Sequence, residues 1–397
     1  MIVVADCREF MAGLYQNSVD SIVCDPPYEL GFMGKRWDGS GISYDPEVWR
    51  LALRVLKPGG HLVAFGGTRT YHRLGCAVDD AGFEIRDSLL WLYGSGFPKS
   101  HDVSKAMDKS ACAEREVVGP GKYLARKPRG TWGGTAYGSE PSHGNGPVDT
   151  AQATDLAKRW DGWGTALKPA HEPAVLARKP LIGTVAANVE RYGTGGLNID
   201  ACRVATSENL NGGAYAKTDS GTRGASFTTN RAIGEYQQPT GRWPANVCHD
   251  GSDSVMSSLP TTTSNSRAAG EYANDRVVYN TADPRHQAAI KGSSGSVARF
   301  FYCAKANKGE REAGLDSLPS TKGRKNIHPT VKPLSLMRWL VRLVTPPGGL
   351  VLDPFCGSGS TGCAAVMEGM SFIGCDLDQH YVDIANARVK HWMTATK

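Results

Sequence analysis

Asp25-Pro26-Pro27-Tyr28 closes an apolar run near the start of the chain. Asp353-Pro354-Phe355-Cys356-Gly357-Ser358-Gly359 opens a glycine-rich stretch near its end. In the first tract, Pro26 and Pro27 fix φ and remove two backbone donors, which predicts a rigid turn. The turn holds the Asp25 carboxylate and the Pro26 carbonyl as neighbouring acceptors. Two acceptors side by side match the two hydrogens of an exocyclic amine, and Tyr28 offers a face for a planar base. An aromatic amine is a poor nucleophile because its lone pair is delocalised into the ring. Accepting both hydrogens favours a pyramidal nitrogen whose lone pair points at an electrophile, which is positioning and electrostatics rather than covalent catalysis. An Asp-Pro turn opening an ordinary loop is the competing reading of this tract taken alone.

In the second tract, residues 350–353 predict a strand that ends in an acid, with a helix starting near Thr361. Gly357 and Gly359 let the backbone turn tightly and admit a ligand where a β-carbon would stand in the way. Asp376 ends the next predicted strand, 19 positions after Gly357. An acid about 20 residues beyond a glycine turn suits ribose hydroxyls. A phosphate-binding P-loop is disfavoured, because no Lys precedes Ser or Thr here. Gly357-x-Gly359-x-x-Gly362 is a formal match to a dinucleotide fingerprint, a weak pattern alone, and a ligand-free strand–helix turn is the plain alternative.

These tracts need a scaffold, and the flanking sequence predicts one. Residues 1–5, 19–24, 61–65 and 83–92 read as strands, alternating with helical spacing at 10–14, 46–56 and 71–81. Lys57-Pro58-Gly59-Gly60 reads as a turn. After residue 297 regular patterns return, with strands at 297–304, 349–352 and 371–375 and helices at 333–344, 361–368 and 381–392. Strands alternating with helices imply a largely parallel sheet covered on both faces. Asp25 then lies at the carboxyl end of a strand, where open α/β sheets bind ligands. Between residues 113 and 296 glycine, serine, threonine, asparagine and proline become dense and periodicity fades. Trp132, Trp160, Trp163, Tyr192, Phe227, Tyr236 and Trp243 fall in this stretch, so it reads as an ordered, irregular insert rather than simple disorder.

The two tracts, in this order and separated by a long insert, resemble the β class of DNA amino methyltransferases. The resemblance covers about residues 1–110 and 297–397. It implies a Rossmann-like, doubly wound, mostly parallel α/β sheet, circularly permuted relative to other methyltransferases, with an irregular target-recognition insert. The expected division is 1–112 for the catalytic half, 113–296 for the insert and 297–397 for the cofactor half. By resemblance, Asp25, Pro26, Pro27 and Tyr28 form the catalytic turn, and Asp353, Pro354, Phe355, Gly357, Ser358 and Gly359 form the S-adenosyl-L-methionine loop, with Asp25 also bordering the cofactor. Asp376 becomes the ribose acid, where the family more often has Glu, and Asp6-Cys7 the segment meeting the cofactor's adenine. His328, Thr330 and Lys332, within Asn326-Ile327-His328-Pro329-Thr330-Val331-Lys332-Pro333, resemble the segment before the cofactor loop, with Thr330 and Lys332 expected to meet the methionine carboxylate. Asp rather than Ser at position 25 favours adenine-N6 over cytosine-N4, a family tendency. A catalytically silent DNA-binding regulator is the reading from another class.

Double-stranded DNA is the implied partner, and a target inside a duplex must be flipped out to reach a pocket. Lys122, Arg126, Lys127 and Arg129 form the clearest basic stretch and are candidates for phosphate contact. Lys35 and Arg36, just after the catalytic turn, are candidates for a loop closing over the flipped base. Net charge is +6 and the pI about 8.7, which permits a polyanionic partner without requiring one. None of the ten cysteines forms a Cys-x-x-Cys pair, so reduced thiols and no metal site are expected. No apolar run approaches the roughly 20 residues of a membrane span, and the amino terminus lacks the pattern of a signal peptide. A cytoplasmic location and a homodimer are the expectations.

Overall fold

Chain segments far apart in sequence interleave in one nine-stranded sheet among the described residues. The computed structural model describes residues 1–31, 36–98, 100–120, 148–208, 210, 215–216, 232–233, 237–264, 270–272, 285–287, 293–305, 307, 309–320 and 323–395. The chain divides into two units, residues 1–94 with 170–397, and residues 95–169.

In the first unit the sheet strands are β1 (Ile2–Val4), β2 (Val19–Cys24), β3 (Leu56–Phe65), β4 (Glu84–Leu92), β5 (His171–Arg178), β6 (Val247–His249), β7 (Tyr302–Cys303), β8 (Leu350–Asp353) and β9 (Ser371–Asp376). Their spatial order is β1-β9-β8-β2-β3-β5-β4-β6-β7. All neighbours are parallel except at β5, which runs against both β3 and β4. The strand order reverses between β8 and β2. Such a switch point opens a crevice at the carboxyl ends of the two strands.

The sheet is covered on both faces, as its composition requires. Successive side chains of one strand point to opposite faces. Ile22, Cys24, Leu62, Ala64 and Leu352 accordingly join one apolar cluster, and Val23, Val63, Phe65 and Val351 the other. The first cluster includes Met11 of α1 (Cys7–Gly13), Val48, Trp49 and Ala52 of α2 (Pro46–Val55), and Leu74 and Val78 of α3 (Tyr71–Asp80). The second includes Leu336, Met337 and Leu340 of α4 (Leu334–Val344), Cys363 and Ala364 of α5 (Ser360–Met367), and Val382, Ala385 and Val389 of α6 (Gln379–Ala395). Caps set the helix starts: Asp6 accepts from the Arg8 N–H at 2.8 Å, and Asp45 caps α2, which begins at Pro46.

In the second unit, helices Val103–Ser110 and Asp155–Arg159 pack together, and Val117–Pro120 pairs antiparallel with Val148–Thr150. Buried Asp108 organises it. The carboxylate accepts from the backbone N–H of Ala153 and Thr154, both at 3.0 Å, and from Arg115 at 2.6 Å.

Three sequence expectations change. Within the expected insert, 113–296, the segments His171–Arg178 and Val247–His249 are strands β5 and β6 of the central sheet. The run Pro173–Ala177 is apolar and buried because it lies between β3 and β4; its reading as irregular followed from dense Gly and Pro on both sides. The expected strand at 297–304 is a short helical turn, Val297–Phe300, followed by the two-residue β7. The expected turn at Lys57–Gly60 is absorbed into β3 as a register shift, with Val19 opposite Leu56 but Ser21 opposite His61. No helix among the described residues is long and apolar enough to cross a membrane.

Candidate active site

The parallel register of β8 and β2 brings the two ends of the chain together. Val351 lies opposite Ser21 and Leu352 opposite Ile22. Asp353 is one residue past the last pair and Asp25 three, so both acids leave neighbouring strands at the same edge of the sheet. Gly374 of β9 lies opposite Asp353, which carries Asp376 to the same edge.

Asp25 is held by a cation from 307 positions away. The Lys332 ammonium donates to Asp25 Oδ2 at 2.5 Å and to the Tyr28 hydroxyl oxygen at 3.1 Å, and lies 3.2 Å from Glu172 Oε2. Tyr28 in turn donates to Glu172 Oε2 at 3.0 Å. The ammonium also sits over the rings of Tyr28 and Phe65, at 5.3 and 4.9 Å from their centroids. The other oxygen, Asp25 Oδ1, is buried and has no hydrogen-bond partner among the described residues. A buried acceptor left unpaired is costly unless a ligand completes it. Burial pushes the Asp25 carboxyl up, opposed chiefly by Lys332. The turn is braced from outside: Thr70 donates to the Tyr28 carbonyl at 2.8 Å, and Ser43 donates to the Pro27 carbonyl at 2.5 Å.

The glycine loop forms a cradle beside this turn. Gly357 and Gly359 have φ of +49° and +77°. A β-carbon at Gly357 would stand 2.7 Å from the His328 Nε2, and one at Gly359 would strike Ala385 of α6. Asp353 accepts from the Phe355 N–H at 3.0 Å, and burial pushes its carboxyl up to about 7. Asp376 accepts from the N–H of Gly357 at 2.8 Å and of Asp378 at 3.0 Å. Each carboxylate oxygen keeps a further lone pair, so ribose hydroxyls can still be accepted. His328 packs edge-on to Tyr381, 4.6 Å between centroids, and burial among Lys332, Arg311 and Arg388 pushes its imidazole down to about 3. It is a neutral wall of the loop.

Arg388 of α6 is a further anchor that the sequence reading does not name. Wholly buried, its guanidinium donates to the Ser358 carbonyl at 2.5 Å, the Ser358 hydroxyl at 3.1 Å and the Glu310 carbonyl at 3.3 Å. The signal was an arginine four residues after Ile384 on an apolar helix face, adjoining Ala385 and Val389. Arg388→Met leaves those acceptors unpaired and frees the loop. Cofactor affinity is expected to fall by roughly tenfold or more, about 1.4 kcal/mol, read by calorimetric titration; parental affinity would show that the loop orders itself.

Several expected site residues have their own partners. The Asp6 carboxylate is taken by the Arg8 guanidinium, at 3.0 and 2.8 Å, while Cys7 is buried beside it. The Ala5 N–H donates to the Asp376 carbonyl at 3.0 Å, which sets Asp6-Cys7 next to the end of β9. Thr330 is exposed, its N–H 3.4 Å from the His328 Nδ1. Lys332 departs from expectation: its ammonium is committed to Asp25, Tyr28 and Glu172 rather than standing free for a cofactor carboxylate. Glu172 is the second residue that sequence reasoning missed. Lys35, Lys122, Arg126, Lys127 and Arg129 lie outside the described residues, and of Arg36 only the backbone, in the turn Arg36–Gly39, is described. Among the described residues no cluster of His, Cys, Asp or Glu could hold a metal ion.

This arrangement can bind a nucleoside-bearing ligand across the β8–β2 crevice and offer acceptors to an amine next to it. The N6_N4_Mtase family profile, described as DNA methylase, matches residues 19–119 and 224–387. The Type II methyltransferase M.HinfI of Haemophilus influenzae is 36% identical over 77 residues, covering 19% of this chain and 21% of that protein. The DNA adenine methyltransferase YhdJ of Escherichia coli K12 is 39% identical over 62 residues, covering 16% of this chain and 21% of that protein. The chain thus spans about a fifth of the length of these curated relatives. Among solved structures, the M1.HpyAVI–SAM complex aligns over 98% of both chains at 15% identity, with a TM-score of 0.39.

Proposed function

The chain belongs to the N6_N4_Mtase DNA methylase family, and from that premise we propose that it methylates the N6 amine of adenine in double-stranded DNA, with S-adenosyl-L-methionine as donor. When bound, the donor supplies a methyl group on a sulfonium, which leaves as a neutral thioether. The residues that suit it are Asp353, Phe355, Gly357 and Gly359 for the loop, Asp376 for the ribose, and Asp6-Cys7 beside it. The buried Asp25 Oδ1, unpaired among the described residues, is the observation that carries the reading.

Asp25 Oδ1 and the Pro26 carbonyl accept the two amine hydrogens, and Tyr28 supports the base. The amine lone pair forms the N–C bond while the C–S pair stays on sulfur. The alkylated nitrogen then carries the positive charge and releases one proton, for which Asp25 Oδ1 is the nearest carboxylate acceptor in this scheme. A duplex base has to leave its stack first, at a cost of about a few kcal/mol. The basic stretch Lys122–Arg129 is the proposed phosphate contact, Lys35 and Arg36 belong to the segment proposed to cover the flipped base, and a homodimer acting in the cytoplasm is the proposed working form.

The base assignment rests on Asp at position 25, a family tendency, and on the likeness to the DNA adenine methyltransferase YhdJ. Cytosine-N4 is the second reading, because the same two acceptors fit its amine. Incubation with methyl-labelled cofactor and plasmid DNA, followed by digestion to nucleosides, is expected to put the label in N6-methyldeoxyadenosine. Label in N4-methyldeoxycytidine would move the reading to cytosine, and unlabelled DNA would favour the silent regulator.

A further inference from the structure

We propose that Glu172 is a positioning residue of this reaction, sharing the Lys332 ammonium so that the cation cannot neutralise Asp25 and the cleft keeps one surplus negative charge. The inference rests on the methyl-transfer reading above. Its first support is topological. β5 is the one strand of the nine that runs against the others, so the residues at its start arrive where its neighbours end. Glu172 lies opposite Trp91, one pair from the end of β4. A parallel strand would deliver its acid to the opposite edge of the sheet.

The second support is geometry. An ammonium has three donors, and Lys332 has three acceptors within reach: Asp25 Oδ2 at 2.5 Å, Tyr28 Oη at 3.1 Å and Glu172 Oε2 at 3.2 Å. The Tyr28 hydroxyl accepts from Lys332 and donates to Glu172, which closes a ring of contacts. Lys332 is nearly fully buried, and the side chains of Asp25 and Glu172 are about four-fifths covered, at 18% and 21% exposure. Two carboxylates therefore share one ammonium around a phenol that burial keeps neutral.

Charge decides what this does. With Asp25 and Lys332 alone, the site is neutral and the cation pulls on the carboxylate that has to receive the amine. With Glu172 present, the site is negative by one charge. Methyl transfer moves positive charge from sulfur onto the amine nitrogen beside Asp25 Oδ1, and a fixed surplus of negative charge in a water-poor cleft stabilises it there.

The groups facing Asp25 are Lys332 ahead of α4, Glu172 on β5, Tyr28 in its own turn and Asp353 at the end of β8. Removing the Glu172 charge takes away a like charge and tightens the Lys332 pair, and both changes lower the Asp25 pKa. The test is Glu172→Gln in the full chain, with Glu172→Asp beside it. Single-turnover methylation, calorimetric cofactor binding and a carbon-13 titration of Asp25 are the readouts. Glu172→Gln is expected to slow transfer roughly 10- to 100-fold, with cofactor affinity within about twofold of the parent. The Asp25 titration and the acid limb of the rate profile should both move to lower pH. Glu172→Asp, which keeps the charge, should recover most of the rate and hold the titration near its parental position. A parental rate in Glu172→Gln, an Asp25 titration that stays or rises, or equal slowing in both variants overturns the inference. A parent protein that transfers no methyl group refutes the functional reading instead, and the Asp25 titration then decides the Glu172 question by itself.

Discussion

Asp25→Asn is expected to slow methyl transfer by about a thousandfold or more, some 4 kcal/mol of transition-state stabilisation, while cofactor affinity stays within about threefold. The substitution keeps the shape of the side chain. It replaces one acceptor by an NH2 group that presents hydrogens to hydrogens, and it removes the charge that balances the methylated nitrogen. Among the described residues Asp25 Oδ1 has no hydrogen-bond partner, which leaves it open to the amine. Single-turnover transfer to plasmid DNA reads the rate, and calorimetry reads the cofactor. If rate and affinity fell together, Asp25 would be a cofactor ligand first and a reaction partner second. If neither changed, the amine would be held elsewhere.

Lys332→Met is the second large effect. Removing one partner of a buried ion pair costs about 3–5 kcal/mol, because the remaining charge stays desolvated. Here two carboxylates lose their common cation, and the methionine supplies bulk but no donor. Lys332 is the main influence holding the Asp25 carboxyl down against burial. Without it, the folded-state pKa of Asp25 rises further above the unfolded value. A raised carboxyl pKa stabilises the protonated folded form, so the deficit is largest at neutral pH and shrinks as pH falls toward the folded pKa. Urea unfolding of parent and variant at neutral and mildly acidic pH measures it. A deficit that grows on acidification would mean that the carboxylates are stabilised by some other cation.

Much of this site is legible in the sequence, for a physical reason. Asp25–Tyr28 and Asp353–Gly359 are each continuous in the chain, and each sits where an apolar run ends, so a strand's carboxyl end positions both. Short continuous apolar runs also assigned most sheet strands, because doubly covered strands must be apolar on both faces. What stayed hidden is what depends on direction or on long-range pairing. Glu172 precedes an apolar run, but nothing local says that this strand runs backwards, and only the reversal brings its acid to the site. The ammonium of Lys332 reaches Asp25 across 307 positions, which no local pattern encodes. A lysine ahead of the glycine loop invites a cofactor carboxylate as its expected partner until the register of β8 on β2 is known. β7 was overestimated because the aromatic residues near 300–302 have strand propensity, whereas tertiary context leaves only two residues paired.

The central claim is that the two chain ends share one cleft, with the donor's methyl group aimed at an amine beside Asp25. A crystal structure of the protein with S-adenosylhomocysteine and a duplex carrying its target base tests this most directly. The expected result is the adenosine moiety against Gly357 and Asp376, the thioether sulfur directed toward the Asp25–Tyr28 turn, and a flipped base on Tyr28 with its amine within hydrogen-bond distance of Asp25 Oδ1. A cofactor product bound away from the β8–β2 crevice, or a base amine that makes no contact with Asp25, would contradict it.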